Sequence, residues 1–344
     1  MKTLVWGAAG AVLLFGATYV VDPFRDYQIA TVAAYLCATA GLTVLVGLNG
    51  QVSLGHGALM AAGAYATALV QNALSDVGAQ WTVVASLGAG VVAALAAGAV
   101  IGMAAARLRG PYLAGVTLAV AVVVPAFTTT FSSTLHGDQG LTVAVPPPPE
   151  ALGLDFPTER WQAWVAGPAV LIVLVLLANL NRSRLGRDLR AVRDDEVAAQ
   201  LAGIPVARTQ VLAFIISAGC AGLGGGLLAV LAQSVSPGAF SLTLSLYLLL
   251  AVVIGGLGSL AGAAWGAILL VLLPDWLAGA TSALHLPASL SQRLTGNLPL
   301  AVFGLTLIVV MIGAPSGLQG LFRRFFRLFR RVVRVSPRKV VLPE

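Results

Sequence analysis

Few side chains in this 344-residue chain are placed to do chemistry. The three histidines, His56, His136 and His285, lie far apart and lack H-E-x-x-H spacing, so they predict no metal centre. The two cysteines, Cys37 and Cys220, lie in apolar runs and form neither a disulfide framework nor a metal-binding spacing. No G-x-x-x-x-G-K-[ST] loop is present, which argues against ATP hydrolysis by the chain itself. We therefore expect no catalytic residue, no metal and no cofactor.

One glycine pattern matches a nucleotide-binding motif. Residues 256–261 read G-L-G-S-L-A and fit G-x-G-x-x-A, with Asp275 downstream. A dinucleotide site of this kind needs a preceding strand and a soluble βαβ unit, whereas this segment lies between two apolar runs of membrane length. Small residues at such spacing let membrane helices approach closely, and we interpret the match as a helix-packing feature.

The densest charge lies in residues 181–208, which we call the charged segment. Its charged side chains are Arg182, Arg184, Arg187, Asp188, Arg190, Arg193, Asp194, Asp195, Glu196 and Arg208. Apolar residues recur inside it at helical spacing, and Gly203 followed by Pro205 is typical of a helix end. The pattern predicts a short amphipathic helix from about Asp188 to Ala202 at the cytoplasmic surface. The alternative is a solvated loop that only fixes the orientation of the neighbouring spans.

Two apolar stripes run along this predicted helix. The first contains Leu189, Val192, Glu196 and Ala199, and the second contains Val197, Leu201 and Ile204. Arginines alone would set the topology, so acidic residues beside an apolar stripe indicate a further role. We expect a docking helix whose contacts to a partner come from Arg187, Arg190, Arg193, Asp194, Asp195 and Glu196, with Gly203 at its end.

A second polar cluster lies in residues 47–65, where Asn49, Gln51, Ser53 and His56 alternate with glycines. Polar groups at membrane depth are costly unless they face protein or a water-filled cavity, and broken helices often border transport sites. One hypothesis is therefore a broken helix beside a solute path. The other is a structural turn at the membrane surface, with His56 acting as a packing residue.

Composition and hydropathy make the bilayer the main solvent of this chain. It is 58% hydrophobic and 10% charged, with a mean hydropathy of +0.92, whereas soluble domains carry about 25% charged residues. Membrane helices need roughly 20 apolar residues. About ten segments qualify: 4–21, 28–47, 52–72, 82–106, 111–134, 161–180, 209–233, 243–257, 259–280 and 297–314. The predicted fold is all-α and polytopic, with a faint internal repeat between residues 50–64 and 256–267.

Loop charges predict the orientation. Ten spans with a cytoplasmic N-terminus place 17 of the 20 lysines and arginines on the cytoplasmic side, as the positive-inside rule requires. The net charge of +7 is then a topology signal and does not indicate nucleic acid. We expect a permease domain at 1–314, with an outer loop at 135–160, and a basic cytoplasmic tail at 315–344. The tail alternates aromatics with arginines and is typical of a membrane-surface helix.

The motifs together resemble the permeases of branched-chain amino acid ABC transporters, LivM type. The matching stretches are GLNGQVSLGHGALMAAGAY from Gly47, RLRGPYLAGVTLAVA at 107–121, HGDQGLTV at 136–143, the charged segment with its following span at 183–229, and the apolar run at 248–274. They cover most of the chain from about 30 to 320. Residues Glu196–Gly203, EVAAQLAG, are similar to the E-A-A-x-x-x-G signature of ABC permeases, with one residue inserted.

This resemblance implies a transport subunit in a bacterial plasma membrane, with both termini in the cytoplasm. It implies two cytoplasmic ATPase subunits, a second permease and an external solute-binding protein as partners, with a coupling helix around Arg187 to Gly203. It also implies a branched-chain amino acid as solute, although related permeases carry urea or amides.

Two other functions have different requirements. An ion-coupled transporter or channel would need buried ionisable residues, and a membrane enzyme would need clustered acids or histidines. The sequence offers few residues of either kind.

Overall fold

The computed structural model describes residues 10, 15–16, 18–74, 79–108, 110–144, 147–149, 152–153, 156–283, 288–313 and 317–324. Most of the predicted first span at 4–21, and residues 325–344 of the basic tail, lie outside these residues. The described chain is all-α apart from one short pairing of strands, as the sequence predicts.

Helices of membrane length dominate the first half. Helix α1 begins beside Pro23, which fits a first helical turn because proline lacks the backbone N–H that is unbonded there. It continues into one turn of π-helix at Thr43–Leu48. The helices of this half are α1 (Pro23–Leu42), α2 (His56–Ala73), α3 (Ala79–Ala105), α4 (Pro111–Thr130) and the short α5 (Ser132–Leu135).

The second half alternates long helices with the charged segment. Its helices are α6 (Thr158–Arg182), α7 (Arg184–Asp194), α8 (Glu196–Leu201), α9 (Val206–Ala232), α10 (Leu242–Gly255), α11 (Leu260–Ala283) and α12 (Ala288–Gly313). The strands β1 (Leu141–Thr142) and β2 (Ser234–Val235) pair antiparallel. Asn72 at the end of α2 donates to the carbonyl oxygen of Thr142 at 2.7 Å, so this pairing marks the end of the bundle opposite the charged segment.

Seven helices in the described residues are long and apolar enough to cross a membrane. The count becomes eight if Ala301–Gly313 and Gly317–Arg324, which are bent by 45° to each other, form one span. Helix α2 is not among the seven, although it packs inside the bundle. The polytopic prediction is confirmed, whereas the total of ten spans and the internal repeat remain predictions.

Glycines let three helices cross with their backbones in contact. A Cβ atom added at Gly90 of α3 would lie 2.7 Å from the carbonyl oxygen of Gly63 on α2. A Cβ at Gly63 would in turn press on the backbone of Gly222 in α9. Helices in a membrane gain their association energy from such close packing, because lipid is as apolar as their side chains. This crossing of α2, α3 and α9 is the centre of the fold.

A buried ion pair joins two helices at the end away from the charged segment. Arg160 on α6 donates from Nε to Asp26 Oδ2 on α1 at 3.3 Å, and the Asp26 side chain is fully buried. The guanidinium group also lies 5.3 Å from the ring centre of Tyr19 and 5.8 Å from that of Phe156. These contacts fix α1 against α6.

Candidate functional site

The charged segment forms two helices, which corrects the single helix predicted over Asp188 to Ala202. Helix α7 ends at Asp194 and α8 begins at Glu196, with Asp195 extended between them at φ −160° and ψ 112°. The break has a local cause. Asp195 Oδ1 accepts hydrogen bonds from the backbone N–H groups of Val197 at 2.8 Å and Ala198 at 3.0 Å, which makes Asp195 the N-cap of a new helix.

The first apolar stripe faces the bundle and the second does not. Leu189, Val192 and Ala199 are 0%, 2% and 4% exposed, so they hold both helices against the membrane domain. Val197 and Leu201 are 65% and 86% exposed, and four residues apart they share one face of α8. The segment therefore presents a small apolar surface to whatever lies beyond the membrane domain.

The chain turns at Gly203, where the sequence predicts a helix end. Gly203 has φ +83°, a conformation that glycine adopts without steric cost. Its N–H donates to the carbonyl oxygen of Gln200, and the N–H of Ile204 donates to that of Ala199, both at 3.0 Å. Helix α9 then begins after Pro205. The turn connects α8 directly to a central membrane helix.

The three predicted arginines have different surroundings. Arg187 is exposed and donates a long hydrogen bond of 3.5 Å to the carbonyl oxygen of Arg182, while Arg190 donates to the side chain and backbone of Asn181. Arg193 reaches farthest, because its Nη1 donates to the carbonyl oxygen of Gly47 at 2.8 Å. Its Nε and Nη2 donate to Asp194 Oδ1 at 2.9 and 2.7 Å.

A second connection runs from α8 to α9. Gln210 Nε2 donates to Glu196 Oε1 at 2.9 Å, and Gln210 is buried at 5% exposure. Gln210 is not among the residues predicted from the sequence, although an amide at the start of an apolar span is a signal that could have identified it. Together with the bond from Arg193 to Gly47, this contact ties the charged segment to two membrane helices.

The second polar cluster lies where the chain re-enters the bundle. Residues 49–55 are not helical, and Asn49 Nδ2 donates to Gln51 Oε1 at 2.8 Å. His56 Nε2 lies 3.1 Å from the carbonyl oxygen of Ala38. Ala38 is ten residues before Leu48, so at 1.5 Å per residue His56 begins α2 roughly 15 Å inside the bundle from the end of the π-helix. The segment is thus a non-helical break inside the bundle.

Side chains of neighbouring helices accept hydrogen bonds from backbone N–H groups at this break. The N–H of Leu54 donates to Thr117 Oγ1 at 3.0 Å, and that of Gly57 donates to Ser245 Oγ at 2.9 Å. Ser53 and His56 are 1% and 0% exposed. Non-helical backbone is tolerated in a membrane where surrounding protein replaces the lost hydrogen bonds.

A cavity of about 480 Å³ brings the two polar clusters together. Its lining includes Asn49 and Gln51 of the second polar cluster and Arg193, Asp194, Asp195 and Glu196 of the charged segment. Ser53, His56, Arg187, Arg190 and Gly203 do not line it. No group of three or more histidine, cysteine or acidic side chains among the described residues is arranged to hold a metal ion. The side chains that line the cavity can form hydrogen bonds and ion pairs with a bound group.

The chain is similar in sequence to known transport proteins. A model of the family described as the branched-chain amino acid transport system permease component matches residues 26–311. The chain is 32% identical over 317 residues to the high-affinity branched-chain amino acid transport system permease protein LivM of Escherichia coli (strain K12), an alignment covering 86% of this chain and 69% of that protein. No solved structure matches.

Two further relatives are more distant. The permease protein LivH of the same kind of system in Salmonella typhimurium is 26% identical over 301 residues, covering 84% of this chain and 92% of LivH. The L-arabinose transport system permease protein AraH of Escherichia coli is 38% identical over 88 residues, which is 26% of each chain.

Proposed function

The chain belongs to the family of branched-chain amino acid transport permeases, and from this membership we propose that it is the membrane-spanning subunit of an ATP-driven importer. Its solute is a branched-chain or similar aliphatic amino acid. It works with a second permease, two cytoplasmic ATPase subunits and an external solute-binding protein. The chain itself catalyses no reaction, and ATP hydrolysis belongs to the partner subunits.

The observation that carries this proposal is the exposed apolar face of a capped helix. Val197 and Leu201 are the large aliphatic side chains of α8 and both are exposed, and they follow the charged residues Arg193, Asp194 and Asp195 along the chain. An apolar centre with a charged rim is the anatomy of a protein interface. We assign this face to the ATPase subunit, with residues 181–208 as the coupling segment.

The charged segment transmits motion through its two hydrogen bonds to the bundle. Displacement of α8 by the ATPase pulls α9 through the contact between Glu196 and Gln210. It pulls the end of α1 through the contact between Arg193 and Gly47. Because Gly47 also packs on Gly258, a rigid-body shift of these helices would switch the bundle between outward-open and inward-open states, as alternating access requires.

The distribution of charge supports an orientation with this segment in the cytoplasm. Leu108 lines the cavity beside the charged segment, and Gly317 packs on Gly256 at the same end, which brings Arg107 and the start of the basic tail there. We therefore propose cytoplasmic termini, a cytoplasmic tail at 315–344 and an outer loop at 135–160.

We also propose that the break at 49–55 borders the solute path, with Asn49, Gln51, Ser53 and His56 beside it. Polar side chains and free backbone groups at membrane depth are the features by which transporters hold a solute between helices. Few charges are needed, because an external binding protein selects the solute.

Co-purification tests the proposal directly. The tagged chain, extracted gently from its native membrane, is expected to bring down an ATPase and a second permease. Leucine with its binding protein is expected to stimulate ATP hydrolysis by the reconstituted assembly. Recovery of the chain with no ATPase under any mild extraction would contradict the proposal.

A further inference from the structure

A groove lies between α1 and α11 at the end of the bundle opposite the charged segment. Its volume is about 820 Å³, within the range of pockets for small molecules, roughly 300–1,000 Å³. Val170 of a third helix, α6, also lines it and is 3% exposed, so the groove reaches the bundle interior. Thr39 Oγ1 donates to the carbonyl oxygen of Ala263 at 3.2 Å, so α1 and α11 are in contact about one turn beyond Leu36, the last lining residue of α1.

The deeper part of the groove is apolar. Every described lining residue on the inner side of Gln28 and Asp275 is aliphatic, and these residues are Ile29, Val32, Ala33, Leu36, Val170, Ile268 and Leu272. Leu36 follows Gln28 by two helical turns, so at 1.5 Å per residue this apolar part is roughly 12 Å long. It suits a hydrocarbon chain that runs parallel to the two helices.

The polar lining residues lie together at the other end of the groove. They are Arg25, Gln28 and Asp275. Gln28 Nε2 donates to Asp275 Oδ2 at 2.7 Å, and this hydrogen bond joins α1 to α11. Arg25 is exposed and lies three residues before Gln28, which puts both side chains on one face of α1. The groove thus combines a charged end with an apolar interior.

An aromatic side chain marks the charged end as the level of the lipid head groups. Trp276 follows Asp275 on α11, lines the groove and is 64% exposed. Tryptophan is enriched where hydrocarbon meets water, with its ring at head-group depth. Both helices are long and apolar enough to cross a membrane, and α1 begins at Pro23, close to Arg25. The apolar part of the groove therefore lies in the hydrocarbon layer.

The charged residues indicate which head group fits. Arg25 presents a guanidinium group, which binds phosphate through charge-assisted hydrogen bonds. Gln28 occupies Oδ2 of Asp275, and because a carboxylate accepts on both oxygens, Asp275 can also accept from a primary ammonium group. A phosphate and a primary ammonium group attached to acyl chains are the parts of phosphatidylethanolamine.

We propose that this groove binds a phospholipid of the phosphatidylethanolamine type. One acyl chain packs against Ile29 and Leu272, the phosphate binds Arg25, and the ammonium group binds Asp275. The lipid belongs to the leaflet on the side away from the charged segment. Calling that leaflet the outer one rests on the proposed function, whereas the site itself does not.

Lipid retention by the purified protein tests the proposal. The full chain, with the subunits that co-purify, is stripped of lipid in detergent and titrated with phosphatidylethanolamine or phosphatidylcholine of identical acyl chains. Native mass spectrometry then counts the bound lipid. Phosphatidylethanolamine is expected to bind at least roughly fivefold more tightly, because choline has no N–H group to donate to a carboxylate. Glycerophosphoethanolamine, the same head group without acyl chains, is expected not to compete, which distinguishes a lipid from a free phosphate compound.

Two substitutions test the head-group contacts. Arg25→Gln removes the cation and is expected to weaken phosphatidylethanolamine binding roughly tenfold. Asp275→Asn removes the anion and is expected to reduce the preference over phosphatidylcholine to less than about twofold. Arg184→Gln changes an exposed arginine at the opposite end of the bundle and is the matched control, with an expected change under about twofold. All three residues are exposed, so the thermal unfolding midpoints are expected to stay close to that of the wild type.

A photoreactive side chain identifies the occupant of the groove. p-Benzoylphenylalanine in place of Ile29 is expected to crosslink to phospholipid in the native membrane. Crosslinking to the second permease or to another segment of this chain instead would overturn the proposal. Equal wild-type affinities for the two phospholipids, or unchanged binding in Arg25→Gln and Asp275→Asn, would also overturn it. None of these measurements involves transport, so their failure is distinguishable from a failure of the proposed function.

Discussion

Arg193 of the charged segment donates a hydrogen bond from Nη1 to the carbonyl oxygen of Gly47 at 2.8 Å, across 146 residues of sequence. The carbonyl belongs to the π-helix that ends helix α1, and helix ends leave carbonyl groups without partners inside the helix. The Arg193 aliphatic chain also packs on Gly50, where an added Cβ would lie 2.8 Å from Arg193 Cγ. One side chain thus connects the docking surface to the start of the break.

Replacing Arg193 is expected to uncouple ATP hydrolysis from transport. Arg193→Ala removes the contact with Gly47, so reconstituted leucine uptake is expected to fall roughly tenfold, while the ATPase still co-purifies. The matched control is Arg184→Ala, since Arg184 carries the same charge on the same helix, is exposed and is not among the predicted partner contacts. The control is expected to keep uptake within about twofold. Equal losses for both variants would show that charge alone matters.

The exposed apolar pair on α8 is expected to determine ATPase binding. Leu201→Asp places a charge in the centre of the proposed interface, where buried anchors are worth more than about 1 kcal/mol each. The yield of co-purified ATPase is expected to fall at least roughly fivefold. Gln200→Ala changes an exposed neighbour on the same helix and is expected to leave the yield unchanged. Full ATPase recovery with Leu201→Asp would refute the assignment of this face.

Much of the fold follows from the sequence, because membrane helices must satisfy their own backbone. The apolar runs therefore predict most of the long helices to within a few residues, including the span from 209 to 233 that is observed as Val206–Ala232. The helix end at Gly203 is also predictable, because it depends on the local residues Gly203 and Pro205. The buried stripe of Leu189, Val192 and Ala199 follows from helical periodicity.

The features that the sequence did not predict depend on tertiary contacts or on a choice between local structures. Asp195 is compatible with a helix interior and with an N-cap, and its residue type alone does not choose between the two. The contact of Arg193 with Gly47 involves a backbone carbonyl, which no residue type reveals. The cavity that joins Asn49 to Glu196 exists because two distant segments meet at one end of the bundle.

Because α2, α3 and α9 cross with their backbones in contact, two glycine substitutions are expected to have very different effects on thermal stability. Gly63→Ala forces a methyl group against the Gly222 backbone, so the helices have to separate, and the thermal unfolding midpoint of the detergent-solubilised protein is expected to fall by several degrees. Gly88→Ala on α3 meets nothing within 4 Å and is expected to be neutral or slightly stabilising, because alanine favours helix over glycine. Similar midpoints for both would contradict the packing.

The ion pair between Asp26 and Arg160 is expected to contribute to the stability of the fold because it is buried. Arg160→Gln leaves the fully buried Asp26 carboxylate without its cation, a change that costs about 3 kcal/mol or more in comparable sites. The unfolding midpoint of this variant is expected to fall by roughly 5 °C. Adding Asp26→Asn removes the buried charge and is expected to recover part of that loss. A double variant less stable than the single one would contradict this account.

Uptake of labelled leucine by proteoliposomes that contain this chain and its co-purifying partners decides whether ATP or an ion gradient drives transport. We expect uptake that requires ATP on the side of the charged segment and the binding protein on the other. We also expect uptake to persist when ionophores abolish all ion gradients. Leucine uptake that proceeds without ATP and stops when an ion gradient is collapsed would refute ATP-driven import by this chain.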